Sequence, residues 1–265
     1  MAGTILVREA LRRASKLLGD ITPQFQRHPE QECVDFLNDA AMAVVKFLPA
    51  AGSRLDAVRL LPGTRQSIES IAASYCKPGD GSTPTAPILG INLLGVVRNM
   101  GADGLTPGRT VRVVDRKMLD AQDPDWHLST RASTAIKSFA FDPQMPRYFY
   151  TTPPVHASTQ VWVELAYNAQ PQKVPNTGTP GAELYLSDGA STATIPLPDE
   201  FIDDIVNYIV ARCNMKDQEW ADANKAAYFA NQFLSSLNGK VMALTGANPN
   251  LKLLPFAPEP IGAAA

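Results

Sequence analysis

The chain has 265 residues, 45% of them apolar and 19% charged, enough to bury one sizeable core or two modest ones. Its net charge of −2 gives no nucleic-acid signature, and its low charge content leaves surface to commit to partners. Cys33, Cys76 and Cys213 are far apart, odd in number and without CxxC or Cys/His ligand spacing, so neither a disulfide framework nor a zinc site is expected.

In chain order, the spacing predicts a first helix over Thr4–Leu18. Thr4 would cap it, and Gly19 would end it in the left-handed conformation. Val7, Ala10, Leu11, Ala14, Leu17 and Leu18 form its apolar stripe. Arg8, Arg12, Arg13 and Lys16 lie elsewhere, as a solvated face or as a contact with an acidic partner or DNA. This opening turns charged too soon for a signal peptide or a membrane span; synthesis in a reducing cytoplasm is expected from the lack of a disulfide framework. A second helix starts at Pro29 with Glu30 and Glu32 in its first turn, repeats Val34, Leu37, Ala41, Val44 and Leu48, and stops at Pro49.

The middle, from about Leu55 to Pro196, reads as β structure. RLDAVRLL, RTVRVV and QVWVELAY are short apolar runs bounded by turn residues. In the last, Val161, Val163, Leu165 and Tyr167 alternate with Trp162, Glu164 and Ala166, the period of a half-buried strand. Lys77–Pro87 and Pro171–Pro180 read as loops. Pro153 and Pro154 are expected to end a strand and blunt a sheet edge. Tyr148, Phe149 and Tyr150 beside them supply contact area for a core or for a subunit interface.

A third helix opens at Pro198-Asp199-Glu200 and continues through Ile202, Ile205, Ile209 and Cys213. A fourth carries an apolar seam of Trp220, Ala223, Ala227, Ala230, Leu234, Leu237, Val241 and Leu244, roughly 37 Å long at helical rise. Cys33 and Cys213 fall in helices and read as small hydrophobes. Short connections suggest two helical hairpins, first with second and third with fourth. The expected fold is therefore α+β: an antiparallel four-helix bundle from 1–54 plus 197–246, an inserted β-rich domain at 55–196, and an extended tail at 247–265. The tail holds Leu251, Leu253, Leu254 and Phe256 among Pro255, Pro258 and Pro260. It reads as an arm that docks on a partner or packs on its own bundle.

Chemistry is sparse. There is no HExxH, GxSxG, GxGxxG or phosphate loop. Asp123, Asp125 and His127 alternate in a way that could ligate a metal, but Pro124 favours a turn or helix start there. No enzyme activity and no cofactor are expected.

PRYFYTTPP (Pro146–Pro154) precedes VELAYNAQP (Val163–Pro171), with VVRN (Val96–Asn99) and LDAQDPDWH (Leu119–His127) upstream. This series, set between two pairs of helices, resembles the head-to-tail adaptor proteins of short-tailed bacteriophages, the tail tubular A type. The resemblance implies a structural virion protein made in the host cytoplasm. It implies a twelve-fold homo-oligomeric ring below the portal protein that extends the DNA channel for genome retention and ejection. Its partners would be the portal, the tail nozzle protein and, in some phages, a tail fibre, with genomic DNA passing through unheld. Leu251, Leu253, Leu254 and Phe256 would then meet the portal or a neighbouring subunit, and Tyr148, Phe149, Tyr150, Arg8 and Arg12 would be candidates for subunit contacts. A hydrolase or carbohydrate-binding protein built on the β-rich part is the alternative reading.

Overall fold

The computed structural model describes residues 3–20, 27–79, 84–176, 185, 192–216 and 221–246. They divide into two compact units. One draws on Met1–Thr4, Ala41–Val174 and Pro196–Pro198, and the other on Ile5–Ala40, Pro175–Ile195 and Asp199–Ala265. The division falls inside the second helix.

In the helical unit, α1 (Val7–Leu18) ends as its sequence predicts, with Gly19 at φ 72° donating to Lys16 and Ser15 carbonyls. Its start differs from expectation. Thr4 does not cap it, because the chain before Val7 is drawn into a bridge between Leu6 and Thr194. The Val7 amide donates to the Ala193 carbonyl at 2.9 Å, and the Ile195 amide donates to the Ile5 carbonyl at 3.0 Å. That pairing holds Ile5 and Leu6 extended, and Asp199 Oδ1 accepts the Ile5 amide at 3.0 Å. The helix α2 (Glu30–Phe47) follows, then α4 (Ile202–Asn214) and α5 (Ala223–Gly246). The α4 helix is central, packing on α1 and on α5. Its Ile205, Ile209 and Val210 are fully buried, as are Ala10, Leu11 and Ala14 of α1.

The seam predicted on α5 holds at Leu237, with Ala230 and Val241 half-buried, and is displaced elsewhere. Ala226, Phe233 and Leu237 are the buried positions, while Ala223, Ala227 and Leu234 are exposed. Two apolar lines run side by side on this helix. Phe233, edge-on to Tyr208 of α4 with ring centroids 5.2 Å apart, selects the line that turns inward. Trp220 lies outside the described residues.

The other unit is a pair of sheets. One has the order β3-β1-β9-β4-β5, built from β3 (Cys76–Pro78), β1 (Ser53–Arg59), β9 (Trp162–Ala169), β4 (Gly90–Met100) and β5 (Pro107–Thr110). The second has the order β2-β8-β7-β6, from β2 (Gly63–Ser67), β8 (Tyr148–Val155), β7 (Ser138–Phe141) and β6 (Arg112–Val113). Ladders are antiparallel except β6 with β7. Val58, Val96, Val163 and Leu165 of the first sheet share one hydrophobic cluster with Phe139, Phe149 and Val155 of the second. Residues pointing inward from β9 are those that the alternation picked out, Val163, Leu165 and Tyr167, with Val161 just before it. Trp162 is buried as well. Lys77 Nζ lies 4.8 Å from its ring centroid, and Gly104, at φ 68°, sits so close that a Cβ there would come within 3.0 Å of the indole.

This architecture corrects the expected one. A four-helix bundle with an inserted β domain does not describe it: there are five α-helices among the described residues and two separate sheets. The additional helix, α3 (Arg116–Gln122), stands inside the β-rich stretch, where Asp115 caps it by accepting the Lys117 amide at 2.8 Å. The partner of α1 is α4, so the first two helices do not form the predicted hairpin. Pro153 and Pro154 do not end their strand either. They lie within β8, where the register with β2 shifts between Gly63 and Arg65 and the paired run with β7 stops at Thr152. Missing proline donors are harmless there, while their neighbours' carbonyls still accept: Thr152 from Lys137, and Pro154 from Ser133, both at 2.9 Å.

Candidate functional site

Between β5 and β7 the chain, apart from the two residues of β6, makes a long and largely exposed excursion, and its anchors explain the site it builds. Asn99 of β4 is nearly buried. Its Nδ2 donates to the Arg109 carbonyl at 3.0 Å and to the Ile136 carbonyl at 2.8 Å, while its Oδ1 accepts the Ile136 amide at 2.7 Å. One side chain thus ties both ends of the excursion to the sheet. The middle is anchored by Trp126, only 5% exposed, whose Nε1 donates to Asp120 Oδ1 at 2.8 Å. Trp126 also meets Tyr150 of β8 edge-on, with ring centroids 6.2 Å apart and planes at 90°.

Around these anchors lies a cavity of about 380 Å³ lined by Thr64, Arg116, Asp120, Trp126, His127 and Tyr150, together with Pro124. The Arg116 guanidinium stacks over Tyr150, 4.7 Å from the ring centroid, and faces Asp120 at 3.7 Å. Arg116 and Asp120 therefore offset one another within the lining. Asp123 is engaged by Arg131, and among the described residues no group of three or more His, Cys, Asp or Glu side chains could hold a metal ion.

The sequence-predicted contact residues fall in several places. Phe149 lies in the sheet core at 1% exposure. Tyr148 is half-buried beside it, its hydroxyl donating to Glu69 Oε2 at 2.9 Å; that carboxylate pushes the phenol's pKa upward. Tyr150 reaches the cavity. Arg8 and Arg12 are half-buried on α1, where Arg13 pairs with Glu9 at 2.6 Å and with Asp203 at 3.5 Å. Leu251, Leu253, Leu254 and Phe256 lie outside the described residues.

A second surface was missed. The α5 helix is 24 residues long and carries two charged side chains, Lys225 and Lys240. Both turn back onto the helical unit, Lys225 to the Leu17 carbonyl at 2.7 Å, Lys240 to the Glu200 carbonyl at 2.7 Å and to Asp204. The exposed side is left with Asn224, Tyr228, Asn231, Gln232, Ser235, Asn238 and Met242, and no charge. Tyr228 is 59% exposed and Met242 74%. A helix face meant for water is ordinarily lined with charged residues, and depletion of charge marks the core of an interface. The signal was present in the sequence as the scarcity of charge, which a search for apolar periodicity passes over.

These are the two surfaces of note among the described residues, a pocket lined by Arg116 and Asp120 and a helix whose exposed side lacks charge. A family model described as SU10 adaptor protein matches residues 6–251, nearly the whole chain. The chain belongs to the SU10 adaptor protein family, and is thereby a bacteriophage structural adaptor rather than a member of an enzyme family. Membership implies a component of the virion that interacts with phage portal and tail proteins. No curated protein sequence matches the chain. No helix among the described residues is long and apolar enough to cross a membrane.

Proposed function

We propose that this chain is the subunit of a closed homo-oligomeric ring that joins the portal to the tail and continues the DNA channel. Twelve copies is the expected number, from the resemblance to tail tubular A adaptors. The observation that supports it most strongly is the uncharged outward side of α5 in a chain of adaptor family. A ring requires a heterologous interface, and a long neutral helix face is suited to the core of one. Tyr148, Tyr150, Arg8 and Arg12 are further candidates for contacts between subunits.

In this reading the tail after residue 246 docks on the portal or a neighbouring subunit through Leu251, Leu253, Leu254 and Phe256. Its prolines favour an extended path, and several apolar anchors together offset the entropy of ordering it. DNA passes without specific binding, since each neutralised phosphate would add affinity and slow transit. The chain performs no catalysis.

The test is truncation after Ala247. A docking arm predicts that the shortened chain keeps its melting temperature and loses attachment to the portal. A shortened chain that melts much earlier, yet still attaches when folded, assigns the tail to the chain's own core instead.

A further inference from the structure

Cys33 and Cys213 are both fully buried in the helical unit. Cys33 stands near the start of α2 and Cys213 near the end of α4, 180 residues apart in sequence, with their Sγ atoms 3.9 Å apart. That separation is about 2 Å more than a disulfide bond, so the two sulfurs need to approach by about that much for one to form. Hydrophobic packing accounts for the burial of each sulfur but not for their meeting.

Their surroundings are polar. His28 is buried, its Nδ1 has no hydrogen-bond partner among the described residues, and its backbone N–H donates to Asp20 Oδ2 at 3.2 Å. Cys213 is pushed down to about 6, first by its hydrogen bond with Cys33 and then, against burial, by His28. Cys33 is pushed far up, because its S–H is held by Cys213 and because it is buried. In the scheme below Cys213 attacks and Cys33 resolves; the 3.9 Å approach of the two sulfurs allows the same link with the roles exchanged. Cys76, in the other unit, is pushed up to about 12 chiefly by burial and is inert by comparison.

The geometry points to an oxidation site: Cys33 and Cys213 form an intramolecular disulfide on exposure to a peroxide, fastening α2 to α4. The Cys213 thiolate attacks one peroxide oxygen, the O–O bond breaks, and the other oxygen leaves as hydroxide, which takes up the proton that the thiol released and becomes water. Cys213 is then a sulfenic acid. The Cys33 sulfur attacks the Cys213 sulfur, the S–O bond breaks, and the departing hydroxide takes the Cys33 proton as a second water. Two thiols lose two electrons and two protons, and one peroxide is reduced to two waters.

The experiment uses the full-length chain, reduced, freed of reductant and treated with hydrogen peroxide. The reaction is quenched with catalase, and the protein is alkylated in denaturant and mapped without reduction. The expected result is alkylation at Cys76 alone and a linked Cys33–Cys213 peptide, reversed by dithiothreitol and formed equally in Cys76→Ala. Cys213→Ala should show no link, and the oxidised wild-type chain should melt several degrees higher than the reduced one. Three alkylated cysteines after treatment would overturn the assignment, as would sulfinic acid at either position, a link through Cys76, or a link between two chains. Mapping of the wild type and of Cys76→Ala decides the matter even if Cys213→Ala fails to fold.

Discussion

Removing the Lys240 charge should destabilise the helical unit far more than a change on an exposed helix ordinarily does. Asp204 is 1% exposed in the first turn of α4, with Oδ2 paired to Lys240 and Oδ1 lacking any hydrogen-bond partner among the described residues. Lys240 also donates to the Glu200 carbonyl and lies 4.3 Å from the Phe201 ring centroid. Breaking a buried ion pair by deleting one partner costs about 3–5 kcal/mol, because the other charge is stranded. Here the lysine keeps 28% of its surface in water, and the N-terminus of α4 partly compensates Asp204. Lys240→Met should therefore cost about 2–3 kcal/mol, a fall in Tm of roughly 5–10 °C for a chain of this size. Lys240→Met combined with Asp204→Asn removes the stranded charge and should recover about 1–2 kcal/mol of that loss. Urea denaturation followed by far-UV circular dichroism measures all three variants. A single variant within about 0.5 kcal/mol of wild type, or a double variant no better than the single, would refute the reasoning.

Two further perturbations separate assembly from folding. Tyr228→Glu or Met242→Glu on the exposed side of α5 should leave the Tm of the free chain unchanged and abolish its assembly on the portal, read by sedimentation; assembly at wild-type levels would remove α5 from the interface. Asp103 is held at about 2, against an ordinary 3.8, because it accepts the Leu105 and Thr106 amides and the Thr106 hydroxyl. A depressed carboxyl stabilises the fold above its unfolded pKa and loses that contribution as the pH falls through its folded pKa. The turn between β4 and β5 should therefore loosen from about pH 3.8 down to about 2, seen as faster amide exchange at Leu105 and Thr106. Asp103→Ala should exchange fast at every pH.

What the sequence revealed was local, and what it concealed depended on distant partners. Gly19 ended α1 and the alternation along 161–167 marked β9, because each signal lies within a few residues. The true start of α1 was hidden, since it depends on a bridge from Leu6 to Thr194. The rotation of α5 was hidden too. Alanine and leucine recur on two adjacent lines, and only the packing of Phe233 on α4 distinguishes them. The short helix α3 rests on one aspartate cap in a stretch whose apolar residues suggested strands. For the site, LDAQDPDWH, PRYFYTTPP and VVRN were each noticed as strings. Their joint role emerges only in three dimensions, where Asn99 clamps the excursion that Trp126 seats against Tyr150. The pairing of Cys33 with Cys213 was equally unreadable from a spacing of 180 residues.

The account rests on assembly, and native mass measurement of the full-length chain mixed with its portal ring tests it most directly. It predicts a single dominant complex carrying many copies of the chain, twelve on a twelve-fold portal, with electron micrographs showing them as a closed ring continuous with the portal channel. One copy per portal assembly, or a chain that stays monomeric and unbound, would contradict it.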